Sequence, residues 1–341
     1  MKLKRLILAG VSVVLLIACF VCYSAGAKPI FAGQGSGTNK KVETVEELIP
    51  VLEFLIDSDD TELLFAGDDT QLASVLSSSR KKQKYESATL TISSSMNASS
   101  SSGGNSASQR LNKEMTVYIT EDGTLYDSAG SFMIAQTRQN SDGELESNNT
   151  SMIFDMLILQ IGSKVYVNFK EFSYVTKDES FQIKHEYTNQ WIKMPLDYIE
   201  SIIMDVDMLN RSVLGEMGML LNYLIEEDEV DEDETLIKLD EYDLRDAAED
   251  LSLSILSQLS SSELKMIFDL SASDAPNILY SFYQYDSGNT VSGDSYSISQ
   301  KVTEQIMIQN INNTEISFDE DMADTTIRKQ KDFEKLFKHN Q

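Results

Sequence analysis

Histidine and serine are the side chains most often used for general-base and nucleophilic catalysis. In this sequence neither occurs in a recognisable catalytic motif. The two histidines, His185 and His339, have no His, Cys or carboxylate partner at metal-ligand spacing. Ser262 and Lys265 match the Ser-x-x-Lys spacing of serine β-lactamases, but the Ser-Asp-Asn and Lys-Thr-Gly motifs that accompany it there are missing. The sequence also lacks a glycine-rich phosphate loop and a Gly-x-Ser-x-Gly turn. We therefore predict no catalytic residues and no enzymatic activity.

The densest cluster of charge is acidic. Residues 226–234 read EEDEVDEDE, and eight of these nine positions are acids. Such a run can attract Ca²⁺, but this one lacks the glycine and the fixed ligand spacing of an EF-hand loop. Runs of like charge more often form solvated loops, because their charges repel one another. We predict an exposed loop here, and the sequence predicts no metal site and no cofactor.

The N-terminal segment predicts where the protein resides. A basic N-terminus is followed by an uncharged stretch over residues 6–23, the layout of an export signal or of a membrane anchor. Three outcomes are open: lipidation of Cys19 in the lipobox-like Leu-Ile-Ala-Cys, cleavage after Ala27, or an uncleaved anchor. Each places the body outside the cytoplasm, attached to the bacterial cell membrane or, after cleavage at Ala27, secreted. Cys22 completes a Cys-x-x-Cys spacing with Cys19, but a reactive thiolate needs a polar setting that this stretch lacks.

Composition limits the partners and the domain organisation. The 341 residues carry 28 Lys and Arg against 55 Asp and Glu, a net charge of −27, which argues against a nucleic-acid partner. A hydrophobic content of 41% predicts a folded core and not a disordered acidic chain. We predict a signal or membrane anchor over 1–27, a flexible linker over 28–43 and one extracytoplasmic domain over 44–341.

Hydrophobic periodicity predicts the elements of the first half. A capping box and a helical stripe predict a helix over 44–57, and a second helix is predicted over 69–80. Apolar residues alternate with threonine over 88–92, as in a half-buried strand, whereas the serine-rich stretch 93–108 predicts a long mobile loop. From 113 to 193, strand patterns joined by short turns predict an antiparallel meander.

Two local features of that meander are used below. The Asp-Gly pair at 122–123 and the Gly-Ser-Lys sequence at 162–164 predict tight hairpin turns. The sequence FQIKHEYTNQWIKM predicts a strand that includes His185.

The second half predicts further helices and strands. A 3.6-residue apolar stripe predicts a long helix over 196–225, and helices are also predicted over 243–260 and 319–338. Strand patterns return within 235–311. Blocks of helices and strands predict an α+β fold, an antiparallel β-sheet with helices packed on one face. The sequence leaves open whether the two β-rich halves, 85–193 and 235–311, share one sheet.

A resemblance to a known group follows from two of these stretches. The sequence GSKVYVNFKEF, followed by NQWIKMPL and a long helix, resembles bacterial envelope lipoproteins of the LolA/LolB and the mycobacterial LppX/LprG groups. The resemblance covers roughly residues 85–318. It implies a curved, half-barrel-like sheet whose concave face is covered by helices, and between them an apolar cavity for acyl chains.

Nine residues are candidates for the wall of such a cavity. Methionines are frequent in the predicted helix 196–225, and flexible thioethers either fill gaps in a core or form a deformable wall around an apolar ligand. The single tryptophan likewise fits a core position or a ligand contact. The candidates are Val165, Val167, Phe169, Trp191, Met204, Met208, Met217, Met266 and Phe268.

The predicted function is binding of a lipid or other lipophilic ligand without catalysis, by a protein attached to the membrane through its N-terminal segment. An alternative is a structural or interaction module of the cell surface with a solid core and an envelope protein as partner. A third is a hydrolase whose catalytic carboxylates the sequence pattern does not reveal. A cavity of about 300 Å³ or more would favour the ligand carrier. Two acids facing each other across a deep polar cleft would favour the hydrolase.

Overall fold

The computed structural model describes the following residues: 31–36, 39–57, 85–139, 144–195, 198, 211–227, 229–240, 262–271, 276–289, 295–318, 323 and 325–340. Several predicted features lie outside them: Cys19 and the segment 1–27, the helices over 69–80 and 243–260, the start of the helix over 196–225, and Met204 and Met208. None of the described helices combines the length and the apolar content needed to span a bilayer.

Fifteen strands and three α-helices form the regular structure of these described residues, with one additional 3-10 turn. The first eight strands are β1 (Phe31–Gln34), β2 (Ala88–Ser102), β3 (Asn105–Thr120), β4 (Gly123–Gln139), β5 (Leu145–Ile161), β6 (Lys164–Val175), β7 (Ser180–Ile183) and β8 (Trp191–Met194). The others are β9 (Leu236–Leu239), β10 (Ser262–Asp269), β11 (Asn277–Asn289), β12 (Ser295–Gln309), β13 (Thr314–Ser317), β14 (Thr325–Thr326) and β15 (Phe337–Asn340). The helices are α1 (Val45–Asp57), α2 (Arg211–Glu226) and α3 (Gln330–Glu334).

Thirteen of the strands belong to one sheet. Its order is β14-β8-β6-β5-β4-β3-β2-β12-β11-β10-β9, while β7 pairs with β6 and β15 pairs with β7. The pairing of β2 with β12 extends from Ser102 opposite Tyr296 to Thr89 opposite Gln309, so the two β-rich halves of the sequence share a single sheet. The prediction of an α+β fold, a curved antiparallel sheet with helices on one face, is confirmed.

Both predicted hairpin turns are present. Thr120 pairs with Gly123 across the two-residue turn 121–122, so the hairpin is present but its turn lies one residue before the predicted Asp-Gly pair, and Gly123 already belongs to β4. The turn after β5 begins at Gly162, whose φ of 52° is left-handed and therefore suits a residue without Cβ. These short connections place each strand beside its predecessor, so β2 to β6 form a meander.

The serine-rich stretch 93–108 is not a loop, and that prediction was wrong. β2 and β3 continue through it to a tight turn at Gly103 and Gly104, whose φ values are 55° and 82°. Ser102 pairs with Asn105 across this turn, and β2 pairs with β12 on its other side. A backbone hydrogen-bond ladder does not require apolar side chains, so partners on both sides make this polar stretch a strand.

The core lies between one face of the sheet and the helices. Thr44 Oγ1 accepts a hydrogen bond from the N–H of Glu47 at 3.4 Å, and the Glu47 carboxylate accepts one from the N–H of Glu43 at 2.8 Å. α1 therefore starts at the predicted N-cap Thr44, but the carboxylate of Glu47 accepts from the N–H of Glu43 and not from that of Thr44, as a complete capping box would require. The apolar stripe of α1 is completely buried at Val45, Leu48, Val51, Leu52 and Leu55. It shares one cluster with the buried residues of α2 and of the sheet, and we call this side of the sheet the inner face.

A smaller cluster is buried on the opposite side of the sheet, the outer face. Its buried members are Leu125, Leu159, Tyr166 and Trp191. β1 and β13 pair with each other, and Ala32 and Ile316 from these strands pack onto the cluster. Part of the predicted linker 28–43 is therefore strand, because the apolar outer-face residues would otherwise be exposed to water.

The predicted helix over 319–338 is wrong. This stretch contains β14, the short α3 and the start of β15, and β15 pairs with β7. Phe333 and Phe337 are spaced as on one helix face, but the β15–β7 pairing is what places Phe337 among other rings. Ring centroids within 5.3–6.2 Å of Phe337 belong to Phe169, Phe172, Phe181 and Phe333.

The predicted strand around His185 is also corrected. β7 and β8 are separate, and the 3-10 turn His185–Tyr187 lies between them. Asn189 then adopts a φ of 59°, and its N–H donates to Phe169 O at 2.9 Å. His185 is exposed in this turn, so it lies apart from both buried clusters.

Candidate ligand-binding site

The inner face of the sheet carries its side chains in rows that cross the strands. Alternate residues of a strand point to one face, and the pairing register aligns them with alternate residues of the next strand. One such row, the core row, consists of Ile278, Ile306, Ile92, Met115, Ser128, Met156 and Phe169. All of its members are at most 3% exposed, so this part of the inner face is closed.

Six of the nine candidate cavity residues lie in this closed region. Val165, Val167, Phe169, Met217, Met266 and Phe268 belong to the inner-face cluster and are 0–1% exposed. They are packed against neighbouring side chains of this cluster as core residues. For Met217 and Met266 this is the first of the two roles considered for the methionines.

Trp191 lies on the other side of the sheet. It is 1% exposed in the outer-face cluster, whereas Ile192 and Met194 of the same strand point to the inner face. The alternation of β8 makes this unavoidable. Trp191 therefore cannot line a cavity together with the other candidates, and that grouping is corrected.

Next to the core row, the inner face carries a polar row that sequence reasoning missed. It aligns Glu304, Ser94 and Lys113 on neighbouring strands. Ser94 is 8% and Lys113 2% exposed, and Ser94 Oγ donates to Glu304 Oε1 at 2.9 Å. Gly130 continues the row, where a Cβ would lie 2.7 Å from Phe154 Cζ. Hydrogen-bonding and charged groups thus sit inside an otherwise apolar face.

The sequence contained a signal for this row. In KEMTVYIT, Lys113 has the same period-2 phase as Met115, Val117 and Ile119, which are all buried on the inner face. Ser94 could not be found in the same way, because the stretch 93–108 was interpreted as a loop.

Beyond the polar row, the inner face becomes apolar again. We call this the distal apolar row, and its members are Val302, Met96, Leu111, Phe132, Met152 and Tyr174. Leu111 and Met152 are 3% exposed, whereas Val302, Met96, Phe132 and Tyr174 are only half-buried. The next row toward the strand tips includes Gln300, Ala98 and Gln109. The distal apolar row is therefore the boundary between the core and the solvent.

A separate cavity of about 270 Å³ lies between residues 39–43, which precede α1, and the chain at the ends of β10 and β12. Its apolar wall includes Val42, Leu270, Pro276 and Ile308. Asn39 also lines it, and its Oδ1 is buried without a hydrogen-bond partner among the described residues. None of the seven candidate residues that the structure describes contributes to this cavity.

The outer face carries a half-exposed ion cluster at a β-bulge. Lys170 Nζ lies 3.0 Å from Asp127 Oδ1 and 3.2 Å from Asp155 Oδ1. Burial by itself lowers the pKa of Lys170, but the hydrogen bonds and charges of the two aspartates outweigh it and raise the pKa. Burial, and then the charge of Asp127, raise the pKa of Tyr118. Because the two carboxylates share one ammonium on an open surface, the cluster resembles a cross-strand ion pair more than a hydrolytic site.

The acidic run takes the predicted form of an exposed loop after the end of α2. The described acids from Glu227 onward are exposed except the half-buried Glu234, while Val230 is buried and its N–H donates to Leu224 O at 3.1 Å. Within the described ranges, no group of three or more His, Cys, Asp or Glu residues is placed to hold a metal ion.

Comparison of the chain with protein-family models and with curated proteins found no match.

Proposed function

We propose that this protein is a non-catalytic binding protein for a lipid or another lipophilic ligand, which it holds along the distal apolar row. The observation that carries the proposal is the half-buried state of Met96, Phe132 and Val302 in an apolar row that the polar row separates from the closed core row. The resemblance to envelope lipoproteins of the LolA and LppX type supports the same ligand class.

The extent of the row suits an elongated apolar group. Six strands contribute to it, so at a strand spacing of about 4.8 Å it extends roughly 24 Å across the sheet. An acyl chain lying along it would cover the exposed parts of four side chains. Each Å² of apolar surface removed from water contributes about 25 cal/mol before the ordering of the ligand is subtracted.

The polar row favours a ligand that also has a polar group. Ligand sites combine an apolar lining with a few placed polar groups, and Ser94, Lys113 and Glu304 lie directly beside the distal apolar row. This arrangement favours an amphipathic molecule over a plain hydrocarbon. The six buried candidate residues then act as the support that keeps both rows in place.

The test uses residues 28–341, exported without the N-terminal segment and purified without detergent. Organic extraction followed by mass spectrometry should find a lipid at a fixed molar ratio to the protein. Phe132→Glu should abolish it, because a carboxylate would replace an apolar contact in the row. Met133→Glu is the matched control, since Met133 is the next residue but lies on the outer face with 54% exposure.

Equal lipid content in Phe132→Glu and Met133→Glu would exclude the distal apolar row as the site. A wild-type protein that yields no lipid, and whose thermal unfolding added lipid does not shift, would refute ligand binding as a whole.

We also propose that the protein is attached to the outer side of the bacterial cell membrane through its N-terminal segment, with Cys19 as the lipidated residue. Its support is the basic N-terminus followed by an uncharged stretch. Cys19→Ser should prevent incorporation of labelled palmitate, whereas Cys22→Ser should not. Labelling that survives Cys19→Ser would contradict this assignment.

An interaction module of the cell surface is the second candidate function. The specific observation in its favour is the closed packing of the six inner-face candidate residues, which gives the inner face a solid core. This function predicts an envelope protein as partner and no bound lipid, so the mass-spectrometric measurement above separates the two.

A further inference from the structure

The outer face near the strand tips carries three neighbouring rows of mostly polar side chains across β11, β12, β2, β3, β4 and β5. The row closest to the tips consists of Ser287, Ser297, Ser101, Ser106, Thr137 and Ser147. The second consists of Tyr285, Ser299, Ser99, Ser108, Ala135 and Asn149. The third consists of Tyr283, Lys301, Asn97, Arg110, Met133 and Ser151. We call these three rows the hydroxyl surface.

The hydroxyl surface is exposed and ordered by backbone pairing on every strand. The row nearest the tips presents a hydroxyl group from each of six strands, and two of these, on Ser101 and Ser297, lie 2.9 Å apart. Tyr283 and Tyr285 are 39% and 55% exposed on the same face of β11. The sheet therefore offers hydroxyls at a repeat of about 4.8 Å across the strands, with two aromatic rings at one side.

The charge of this surface differs from that of the rest of the molecule. The whole chain carries a net charge of −27, yet the eighteen residues of the three rows include no acid. The nearest acid in register with them is Glu263 of β10, which lies opposite Tyr283 at the edge of the third row. Two of them, Arg110 and Lys301, are cations in the same row, and Arg110 Nε donates to Asn97 Oδ1 at 3.1 Å. The surface is thus complementary to a polyhydroxylated ligand that carries some negative charge.

Other classes of macromolecule fit these rows less well. Protein interfaces are depleted in serine, which dominates here, and their centres are more apolar. Nucleic acid requires many phosphate contacts from Lys and Arg, and the rows contain two such residues. A serine hydroxyl donates and accepts one hydrogen bond as readily as a sugar hydroxyl does, and short serine side chains let a sugar ring approach the sheet. Exposed tyrosine rings provide an apolar face with a polar tip.

We propose that the hydroxyl surface binds a glycan strand that bears carboxylate groups. Serine and asparagine side chains hydrogen-bond its hydroxyl and amide groups, Tyr283 and Tyr285 contact the ring faces, and Arg110 and Lys301 pair with the carboxylates. The site is separate from the distal apolar row, since the two lie on opposite faces of the sheet.

The test measures cosedimentation of the full-length chain, in nonionic detergent, with insoluble peptidoglycan stripped of protein. Chitin serves as the comparison glycan, because it has a related sugar backbone but no carboxylates. Outer-face variants Tyr285→Ala, Ser99→Asp and Arg110→Gln are each compared with an inner-face change at the same end of the sheet. The matched controls are Tyr296→Ala, Ser100→Asp and Arg138→Gln.

Saturable binding to peptidoglycan is expected, with each outer-face variant weakened about tenfold or more and each control changed less than about twofold. Chitin should bind more weakly than peptidoglycan. The proposal is overturned if the chain does not bind peptidoglycan, if outer-face and inner-face changes weaken binding alike, or if chitin binds equally well. It is also overturned if outer-face variants keep full glycan binding but lose a cross-linked envelope protein, because the surface would then be a protein interface.

Discussion

Phe268 and Phe132 both point to the inner face, but their surroundings differ. Phe268 is completely buried, whereas Phe132 is half-buried at the distal apolar row. We expect Phe268→Ala to lower the free energy of unfolding by about 3–5 kcal/mol, since it leaves a cavity in closed packing. Phe132→Ala should lower it clearly less, because part of that ring is already in water. Urea unfolding measures both, and equal losses would contradict the division into a closed core and a half-open row.

The ion cluster of Lys170 predicts how the free energy of unfolding changes at alkaline pH. The pKa of Lys170 is raised above the ordinary value of 10.5, so the stabilisation is fully present below that pH and is lost as the pH rises through the folded-state pKa. Because the side chain is half-exposed, the contribution should be below about 1 kcal/mol. Lys170→Arg should keep more of its stability between about pH 10 and 12, since a guanidinium stays charged there. The check is urea unfolding across this pH range, and identical pH profiles of wild type and Lys170→Arg would contradict the assignment.

At the scale of elements, the β2–β3 hairpin shows how far composition can mislead. We expect Ser99→Pro to lower the free energy of unfolding by more than about 1 kcal/mol, because proline removes a ladder hydrogen bond from a strand with neighbours on both sides. Lys177→Pro is the control, in the exposed turn between β6 and β7. Hydrogen exchange provides the second measurement: amides of 93–108 should be protected as in a strand, and rapid exchange there would support the loop interpretation.

The pairing of β1 with β13 controls the environment of Trp191. Ala32 packs on the outer-face cluster, so Ala32→Glu should displace β1, admit water and shift the tryptophan emission to longer wavelength. Gln34→Glu is the matched control, because Gln34 lies in the same strand and is exposed. Trp191 is the single tryptophan, so the signal reports on this cluster alone. An unchanged emission in Ala32→Glu would show that β1 does not shield it.

At the scale of the whole molecule, one sheet links parts of the chain that are about 200 residues apart. Ile306 of β12 is 1% exposed and lies opposite Ile92 of β2. We expect Ile306→Ala to shift the thermal transition followed by Trp191 fluorescence and the one followed by circular dichroism to the same extent. Two transitions that move independently would mean that the halves unfold as separate units.

Features that depend on residues close together in the sequence were predicted, and features that depend on residues far apart in the sequence were not. The start of α1 and the hairpin turns near Gly123 and Gly162 depend on residues within one turn of chain, and all three were predicted to within one residue. The strand at 93–108 depends on β12, about 200 residues later, and was missed. Of the candidate site, the sequence identified apolar residues that belong to the buried support. The half-buried row and the polar row depend on register between strands, which periodicity within one strand cannot supply.

The sequence by itself determined the α+β class, the meander and the acidic composition, because these follow from local periodicity, turn chemistry and residue counts. Only the tertiary structure decided that both β-rich halves form one sheet, and that Trp191 lies on the face opposite Phe169. It also decided that serines from five strands and Thr137 of a sixth form one hydroxyl surface. The physical reason is that backbone pairing determines which side chains become neighbours across strands. The register of that pairing cannot be read from the side-chain pattern of one strand alone.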